Sequence, residues 1–557
     1  MSPQVDSSQF DVIILGSGIA GSILAAILAR HGSRVLMIDK ASHPRFSIGE
    51  ALTSHTEKLF SLLSHQYAIP EFKHLSSFDE VSQHIPGSTC GLKRSLGFLY
   101  HREGQQQSSS ERLQWGVTRS THLFRQDVDH YFVNVADKYG AKLFSNVTVV
   151  DVDIDEHGVV VELGDGRKID SSYIVDASGF SSILGRKFGL KEQPTRFKTE
   201  SRTLFTHMVG VKDIDDCLLN DEEKIMPWKN GTVHHVFDGG WMWVIPFNNH
   251  EHSNNPVCSV GLNLNLRHSE NMEDTSPEQE FQNFLSKFPT IAAQFENAES
   301  IRPWTATDRI QHSSSKCAGE RFYILPHASG FVDPIFSVGL IQSLITISPL
   351  ASLILKAVQR NDYEQKNFAS LEKLQQNIFD YYDGIANSTY ISFKDFSLMN
   401  AWLRVWLLQH SMSVGKLLWE PISELIVEDR EGYVRKDCLR FTGIDYLNAI
   451  NPMLENWGED YVRKAELELE NVERGLISPN EAASQITTLL NSTSWLCKVT
   501  EISNPLKRYE DALNSTRFQI SYLLYSFYSQ LFLKREIRPF KINFKNFINQ
   551  LRWGIEA

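Results

Sequence analysis

Residues 11–39 constrain the fold more than any other stretch of this 557-residue chain. Asp11–Leu15 (DVIIL) is short, β-branched and uninterrupted, the pattern of a strand buried on both faces. Gly16-Ser17-Gly18-Ile19-Ala20-Gly21 follows at once and opens an Ala/Leu-rich helix that reaches about Arg30. A second buried strand, Arg34–Ile38, then ends at Asp39. Strand, glycine loop, helix, strand and acid together make a dinucleotide-binding unit. Gly16 permits the tight turn, Gly18 lets the backbone approach a pyrophosphate, and Gly21 lets the helix pack on the strand. The pyrophosphate belongs at the helix N-terminus, where free N–H groups and the helix dipole favour an anion. Asp39, 18 residues after Gly21, is spaced to accept hydrogen bonds from a ribose diol. Ser17, Ala20 and Lys40 complete the expected lining.

Composition narrows the partners. The chain is 42% hydrophobic and 22% charged, an ordinary globular mix, and its length suits two or three domains. Its formal net charge of -12 argues against a nucleic-acid partner, which needs a dense basic face. Six scattered cysteines (90, 217, 258, 317, 438, 497) form neither a disulfide framework nor a zinc pattern, so a reducing cytoplasm is expected. No metal site is expected either: HExxH and CxxC are missing, and His234 and His235 point to opposite faces of a strand. The start, MSPQVDSSQF, has no signal-peptide pattern. The longest apolar stretch, Gly339–Leu355, is interrupted by Gln342, Ser343 and Pro349 and reads as a buried helix, so stable membrane insertion is not expected.

The glycine fingerprint alone leaves NAD and FAD open. Two later segments bear on the choice. Strand-rich alternation over Val147–Val161 leads through Gly164-Asp165-Gly166 to a strand ending Asp176-Ala177-Ser178-Gly179. Farther on, Arg321–Pro334 is a strand running into a small-residue turn and a helix. With these segments the chain resembles the flavoprotein monooxygenase superfamily, in which such turns complete an FAD site. Arg125 and Asp127 match that family's helix-start pattern beside the flavin. The resemblance assigns Ile48, Ala51, Val149, Ala177, Gly179, His327 and Pro334 to the same FAD site.

Three local patterns sharpen the resemblance to flavin-dependent halogenases. Gly240-Trp241-Met242-Trp243-Val244-Ile245-Pro246 resembles their WxWxIP signature. Pro44-Arg45-Phe46-Ser47-Ile48-Gly49-Glu50 resembles the segment after their second strand, and Phe331–Gly339 the turn that holds flavin and halide. The resemblance implies that reduced FAD, delivered by a separate flavin reductase, and O2 oxidise chloride or bromide to hypohalous acid. It implies a relay to the substrate by Lys93, in Leu92-Lys93-Arg94-Ser95-Leu96, as a hydrogen-bonding ammonium or a haloamine. Trp241 and Trp243 lie two apart, so on a strand both rings share one face; with Ile245 and Pro246 they are the implied barrier between flavin and substrate. Val338 and Gly339 are the implied halide site, two successive backbone N–H groups facing the anion. Glu50, Phe98 and Phe336 are the implied substrate pocket.

Departures from the pattern point to the substrate. The tryptophan-halogenating branch carries a glutamate where this chain has Phe336, which favours phenols, pyrroles or other electron-rich rings whose own lone pair stabilises charge. Pro326-His327 stands where many relatives have Gly-Asp. The expected architecture is α/β: a Rossmann-like FAD-binding domain of GR2/PHBH type, a mixed β-sheet substrate region and an α-helical C-terminal region. The core spans about 8–350, with flavin segments 8–60, 110–190 and 300–350 and a substrate-side sheet from 61–109 and 191–299; residues 351–557 form the helical region, a substrate cap. Residues 455–485 read as a charged helix pair. After an aromatic run, Lys534, Arg535, Arg538, Lys541, Lys545 and Arg552 make the terminus basic. It reads first as a helix docked on the body, with an acidic carrier protein or a membrane surface as other partners. An NAD(P)H-dependent aromatic hydroxylase and a prenyl-chain reductase are the competing activities.

Overall fold

The computed structural model describes residues 10–85, 89–221, 224–268, 275–410 and 459–493. The first sheet is built on the N-terminal strand. β1 (Phe10–Leu15) lies between β2 (Val35–Ile38) and β8 (Lys168–Asp176), parallel to both. β16 (Phe322–Ile324) extends it beside β8 and β5 (Lys142–Phe144) beside β2, again in parallel. The uninterrupted apolar runs arise because both faces are covered: Val12, Ile14, Val35 and Met37 enter one core, Ile13, Leu15, Leu36 and Ile38 another. The second core is closed by β6 (Val149–Ile154) and β7 (Val159–Leu163). The first core runs on into the helices Ile19–Arg30, Ser54–Tyr67 and Gly339–Arg360.

The second sheet runs β13 (Glu299–Ser300), β9 (Ser201–Val209), β12 (Cys258–Asn265), β11 (Gly240–Pro246), β10 (Gly231–Phe237), β3 (Gly91–Tyr100), β4 (Arg112–His122), with β14 (Thr305–Ala306) also on β9. Its pairing is antiparallel except between β10 and β3, so the sheet is mixed. Two assignments need correction. Strands β4 and β14 fall inside segments given to the flavin half by sequence, yet both pair into this second sheet. β4 goes there because Leu99 to Leu92 on β3 offer it a long antiparallel partner.

From Gly339 onward every described element is helical: Gly339–Arg360, Ala369–Ser392, 396–410, Glu459–Glu473 and Pro479–Thr493, with a 3-10 turn at Gln365–Asn367. The apolar helix at 335–360 is long enough to cross a membrane by composition, but 78% of its most apolar window is buried inside the protein. The charged pair expected at 455–485 corresponds to the last two described helices, which pack on each other. The basic terminus from Lys534 and the aromatic run before it lie outside the described residues.

Candidate active site

At the nucleotide end, the glycines are required by contact. A Cβ on Gly16, which has φ +101°, would stand 2.5 Å from Ala177 O, and one on Gly21 would stand 2.2 Å from Gly16 O. Above Gly18 the space is open, the nearest atom to an added Cβ being Arg45 Nη2 at 3.9 Å. The helix Ile19–Arg30 has no side-chain cap at Gly18 and no acid in its first turn. A loop closed behind and open in front, ending in an uncapped helix, fits a pyrophosphate. Arg45 Nε and His43 Nδ1, both buried without a hydrogen-bond partner, lie beside that loop.

Asp39 is more heavily engaged than its spacing suggested. Its Oδ2 accepts from Ser17 N and Ser17 Oγ, each at 2.8 Å, and from Arg45 Nη2 at 3.0 Å, while Oδ1 accepts from Ala41 N. These bonds hold its carboxyl below the usual range although burial pushes the other way. Val147, rather than Val149, is tied to this acid, its N–H donating to Asp39 O; Val149 instead pairs with Leu163 on β7. Lys40 is exposed. Ile48 and Gly49 offer their carbonyls to Arg125, which is fixed by a two-pronged ion pair with Asp129. Ala51 bridges to His122, and Ala177 N–H bonds Leu15 O. Asp127 accepts from Thr89 Oγ1 at 2.7 Å.

The tryptophan face forms as the spacing dictates. Trp241 and Trp243 rings lie 5.8 Å apart on β11, in the first core with Ile245, while Met242 and Val244 enter a third core with Leu262 and Phe281. His234 on β10 lies opposite Trp243 and stacks on Phe98 of β3 at 4.5 Å. Phe98 is fully buried between His234 and Trp115 and supports the aromatic row from behind. His122 fixes the end of the signature by bonding Pro246 O through Nδ1 and Thr232 Oγ1 through Nε2. Trp241 Nε1 donates to Tyr390 OH, which donates to Asp333 Oδ2; Ser201 Oγ donates to the same oxygen. That chain ties the tryptophan strand to the turn 331–339. Burial raises the Asp333 carboxyl to about 6 against the hydrogen bonds that favour its charge.

Lys93 is 3% exposed and lies just before a bulge between Lys93 and Ser95. Its Nζ donates to Leu52 O at 2.7 Å, just ahead of the helix Ser54–Tyr67. Burial pulls its pKa from 10.5 down to about 8, with Glu57 pushing the other way. Glu57, 4% exposed, is driven by burial from 4.5 up to about 7, with Ser120 and Lys93 favouring its charge. The imidazoles of His122, His234 and His410 are held to about 3, 3 and 4 by burial, aided in each case by the Lys93 charge. They are neutral near pH 7, and the carboxylate acting on Lys93 is Glu57.

The turn carrying Val338 and Gly339 is bent sharply. Phe336 and Ser337 both have left-handed backbones, with φ +64° and +56°. For a Phe this costs of order 1–2 kcal/mol, and the fold holds it by burying the ring against Trp406 at 4.0 Å. Pro334 begins the turn, its carbonyl accepting from Ser337 N. The helix starting at Gly339 has no side-chain cap. A Cβ on Gly339 would stand 2.5 Å from His327 Nε2, a buried nitrogen without a hydrogen-bond partner, so His327 fills the space beside this backbone. Glu50 Oε1 pairs with His207 Nε2 at 2.8 Å.

A flavoprotein is the class these two halves define, and sequence comparison agrees: residues 9–313 match the FAD binding domain family. The monodechloroaminopyrrolnitrin halogenase of Pseudomonas fluorescens is 40% identical over 500 residues, covering 87% of this chain and 85% of that enzyme. The tetracycline 7-halogenase of Kitasatospora aureofaciens is 36% identical over 502 residues, with 89% of each chain covered. A solved structure of the halogenase PltM with phloroglucinol and FAD has a TM-score of 0.80 and 32% identity, covering 92% of this chain and 99% of that one. The chain belongs to the flavin-dependent halogenases, and FAD is its cofactor.

Sequence reasoning missed four groups. Glu57 and His410 interact with Lys93, and His55 meets His410, all from helices without a recognisable motif; Tyr390 reaches the tryptophan strand from 149 residues away. Glu57 and His55 occupy an ordinary polar first turn after the Thr53 cap, where no local signal marks them.

Proposed function

We propose that this halogenase acts on an electron-rich aromatic ring of the phenol, arylamine or pyrrole type, with Lys93 delivering the halogen. The observation that carries the reading is the buried Lys93 ammonium, held by Leu52 O at the enclosure shared with Glu57 and His410. Bound FAD, reduced and met by O2, supplies hypohalous acid from halide. The remainder falls to the chain's own groups. The uncapped backbone at Val338–Gly339, with His327 beside it, binds the halide. The Trp241–Trp243 row keeps the ring away from the flavin, so oxygen is not inserted directly. Lys93, in its ammonium form below about pH 8, donates to the hypohalous oxygen and polarises the O–halogen bond.

Phe336 in place of a carboxylate supports a ring that carries its own activating lone pair. The phloroglucinol complex of the structural relative is of that kind. A separate reductase supplies the reduced FAD. Four described cysteines are free, which supports work in the cytoplasm. Carrier-bound substrates are used by more distant relatives, the pyrrole-2-carbonyl-[peptidyl-carrier protein] halogenases; here a free aromatic is the first substrate to test. Purified protein with FAD, an unrelated flavin reductase, NADH, O2 and chloride or bromide is incubated with phenols, arylamines, pyrroles and indoles. Halogen isotope pairs lost in Lys93→Ala support the reading; oxygen addition without halogen would favour the hydroxylase.

A further inference from the structure

The helix Ser54–Tyr67 begins at Thr53, whose hydroxyl accepts from Thr56 N, and its first turn carries His55. His55 is 3% exposed, and both of its ring nitrogens are buried without any hydrogen-bond partner. A neutral imidazole has one N–H to give and one lone pair to fill. Leaving both bare costs about 1–3 kcal/mol for each. A site that bears such a cost in its resting state is built for something that arrives.

The surroundings say what arrives. The His55 ring meets the His410 ring edge-on at 4.2 Å. His410 lies over Trp406 at 5.2 Å, and Trp406 stacks on Phe336 at 4.0 Å. Phe336, Trp406 and His410 therefore form one stacked column, which the His55 ring meets edge-on at its His410 end. Lys93 Nζ donates to Leu52 O, three residues before His55, and its charge is felt by His410 and Glu57, so the imidazole pair lies at the lysine's end of this helix. The titratable groups around the enclosure are His410 from helix 396–410, Glu57 from the same turn, Lys93 from β3, and His122 and His234 on the sheet side.

We propose that His55, flanked by His410, is the base that takes the proton of a hydroxyl or amino group on the aromatic substrate. The proposal rests on the halogenase reading of Lys93 above, and it narrows the substrate class to rings bearing an ionisable OH or NH2. Burial holds both imidazoles below their ordinary pKa, so each enters the reaction neutral and able to accept.

The step balances as follows for a phenol. His55 takes the hydroxyl proton while the ring carbon forms its bond to halogen. The O–halogen bond of hypohalous acid breaks, and the departing hydroxide takes a proton from Lys93 to become water. The ring is oxidised by two electrons and the halogen reduced by two. The ring C–H proton then passes to Lys93, restoring the ammonium, and the imidazolium returns its proton to the phenol oxygen. Phenol and hypohalous acid become halophenol and water.

The test compares wild type with His55→Phe and His410→Phe on a series of phenols of graded acidity and on their methyl ethers. FAD binding and hypohalous acid, captured by a small enol trap, are followed in parallel. A general base contributes about 10²–10⁴-fold. His55→Phe is expected to lose about 10²-fold or more in kcat/KM on weakly acidic phenols. The loss should shrink as the phenol becomes ionised at the assay pH and be absent for the methyl ethers. Hypohalous acid intact, with an equal loss across the whole series or no loss at all, overturns the proposal alone. No hypohalous acid from wild type overturns the halogenase relay and this proposal with it. If His55→Phe fails to bind FAD, His55→Asn and His410→Phe are read by the same criterion.

Discussion

Replacing Lys93 with Met should make the protein more stable and catalytically dead. The folded-state pKa of Lys93 is about 8 against an ordinary 10.5. At 1.36 kcal/mol per unit, keeping this ammonium buried costs about 3 kcal/mol. Met keeps an unbranched chain of similar length without the charge. Losing the bond to Leu52 O returns about 1 kcal/mol or more of the gain, so the net is about 1–2 kcal/mol. The pH dependence gives the sharper signature. Because the folded value lies below the unfolded one, the unfolded chain binds the extra proton between about pH 8 and 10.5. The cost is fully present below pH 8 and fades as pH rises to 10.5. Glu57 is the mirror case: raised from 4.5 to about 7, its cost is absent below pH 4.5 and complete above pH 7. Without Lys93 it loses the cation that favours its charge and stays protonated at neutral pH. Thermal midpoints of the FAD-free protein, measured from pH 7 to 10 by intrinsic fluorescence, should therefore place Lys93→Met above wild type near pH 7.5, with the gap closing toward pH 10. A midpoint below wild type at every pH would refute the reasoning, since it would mean that the lysine stabilises the fold.

Other substitutions probe the remaining parts. Glu57→Gln removes the carboxylate that raises the Lys93 pKa, so the alkaline limb of halogenation, set near pH 8 in wild type, should move down, as a pH profile of kcat would show. Gly339→Ala sets a methyl group against His327 Nε2 and should raise the halide KM at least tenfold with little change in FAD affinity. Restored halide affinity in the double variant with His327→Ala would locate the conflict there. Gly16→Ala meets both a positive φ and a 2.5 Å contact, so FAD binding by fluorescence titration should be lost. Trp241→Phe leaves the Tyr390 hydroxyl without its donor and should destabilise by about 1–3 kcal/mol, read as a lowered unfolding midpoint.

Much of the flavin half was legible because its parts are contiguous. Strand, glycines, helix and acid occupy one run of sequence, and Gly16 and Gly21 answer contacts made within the same unit or to Ala177. The tryptophan row was legible for a similar reason, since period two on a strand sets a shared face wherever the strand lies. Lys93 was singled out through its neighbourhood in a resembling family, and its burial could not have been read from a strand that also carries exposed Arg94. What sequence missed lies between elements. β4 was given to the wrong half because a strand's partner is chosen by the fold. Asp39 was read as a free acceptor because the turn that brings Arg45 and Ser17 onto it is a tertiary feature. Glu57 looks like any polar helix-start residue until Ser120 of β4 and Lys93 of β3 come against it, and His55 likewise until His410 meets it. The Trp241–Tyr390–Asp333–Ser201 chain joins four distant segments, none of which marks the others.

The parallel pairing of β3 with β10 also sets an order of assembly on the ribosome. β3 can close at once on β4, but its other edge waits until residues 101–230 have been made. At about 5–20 residues per second, that edge stands open for roughly 6–26 seconds. The nucleotide half waits longer, since β1 needs β8 and β8 needs β16, which ends at Ile324. A nascent chain cut short of that strand should have no hold on FAD, so the cofactor is captured only after more than half of the polypeptide exists. Until then the aromatic row of β11 and the lysine strand are for a chaperone, not the flavin, to protect.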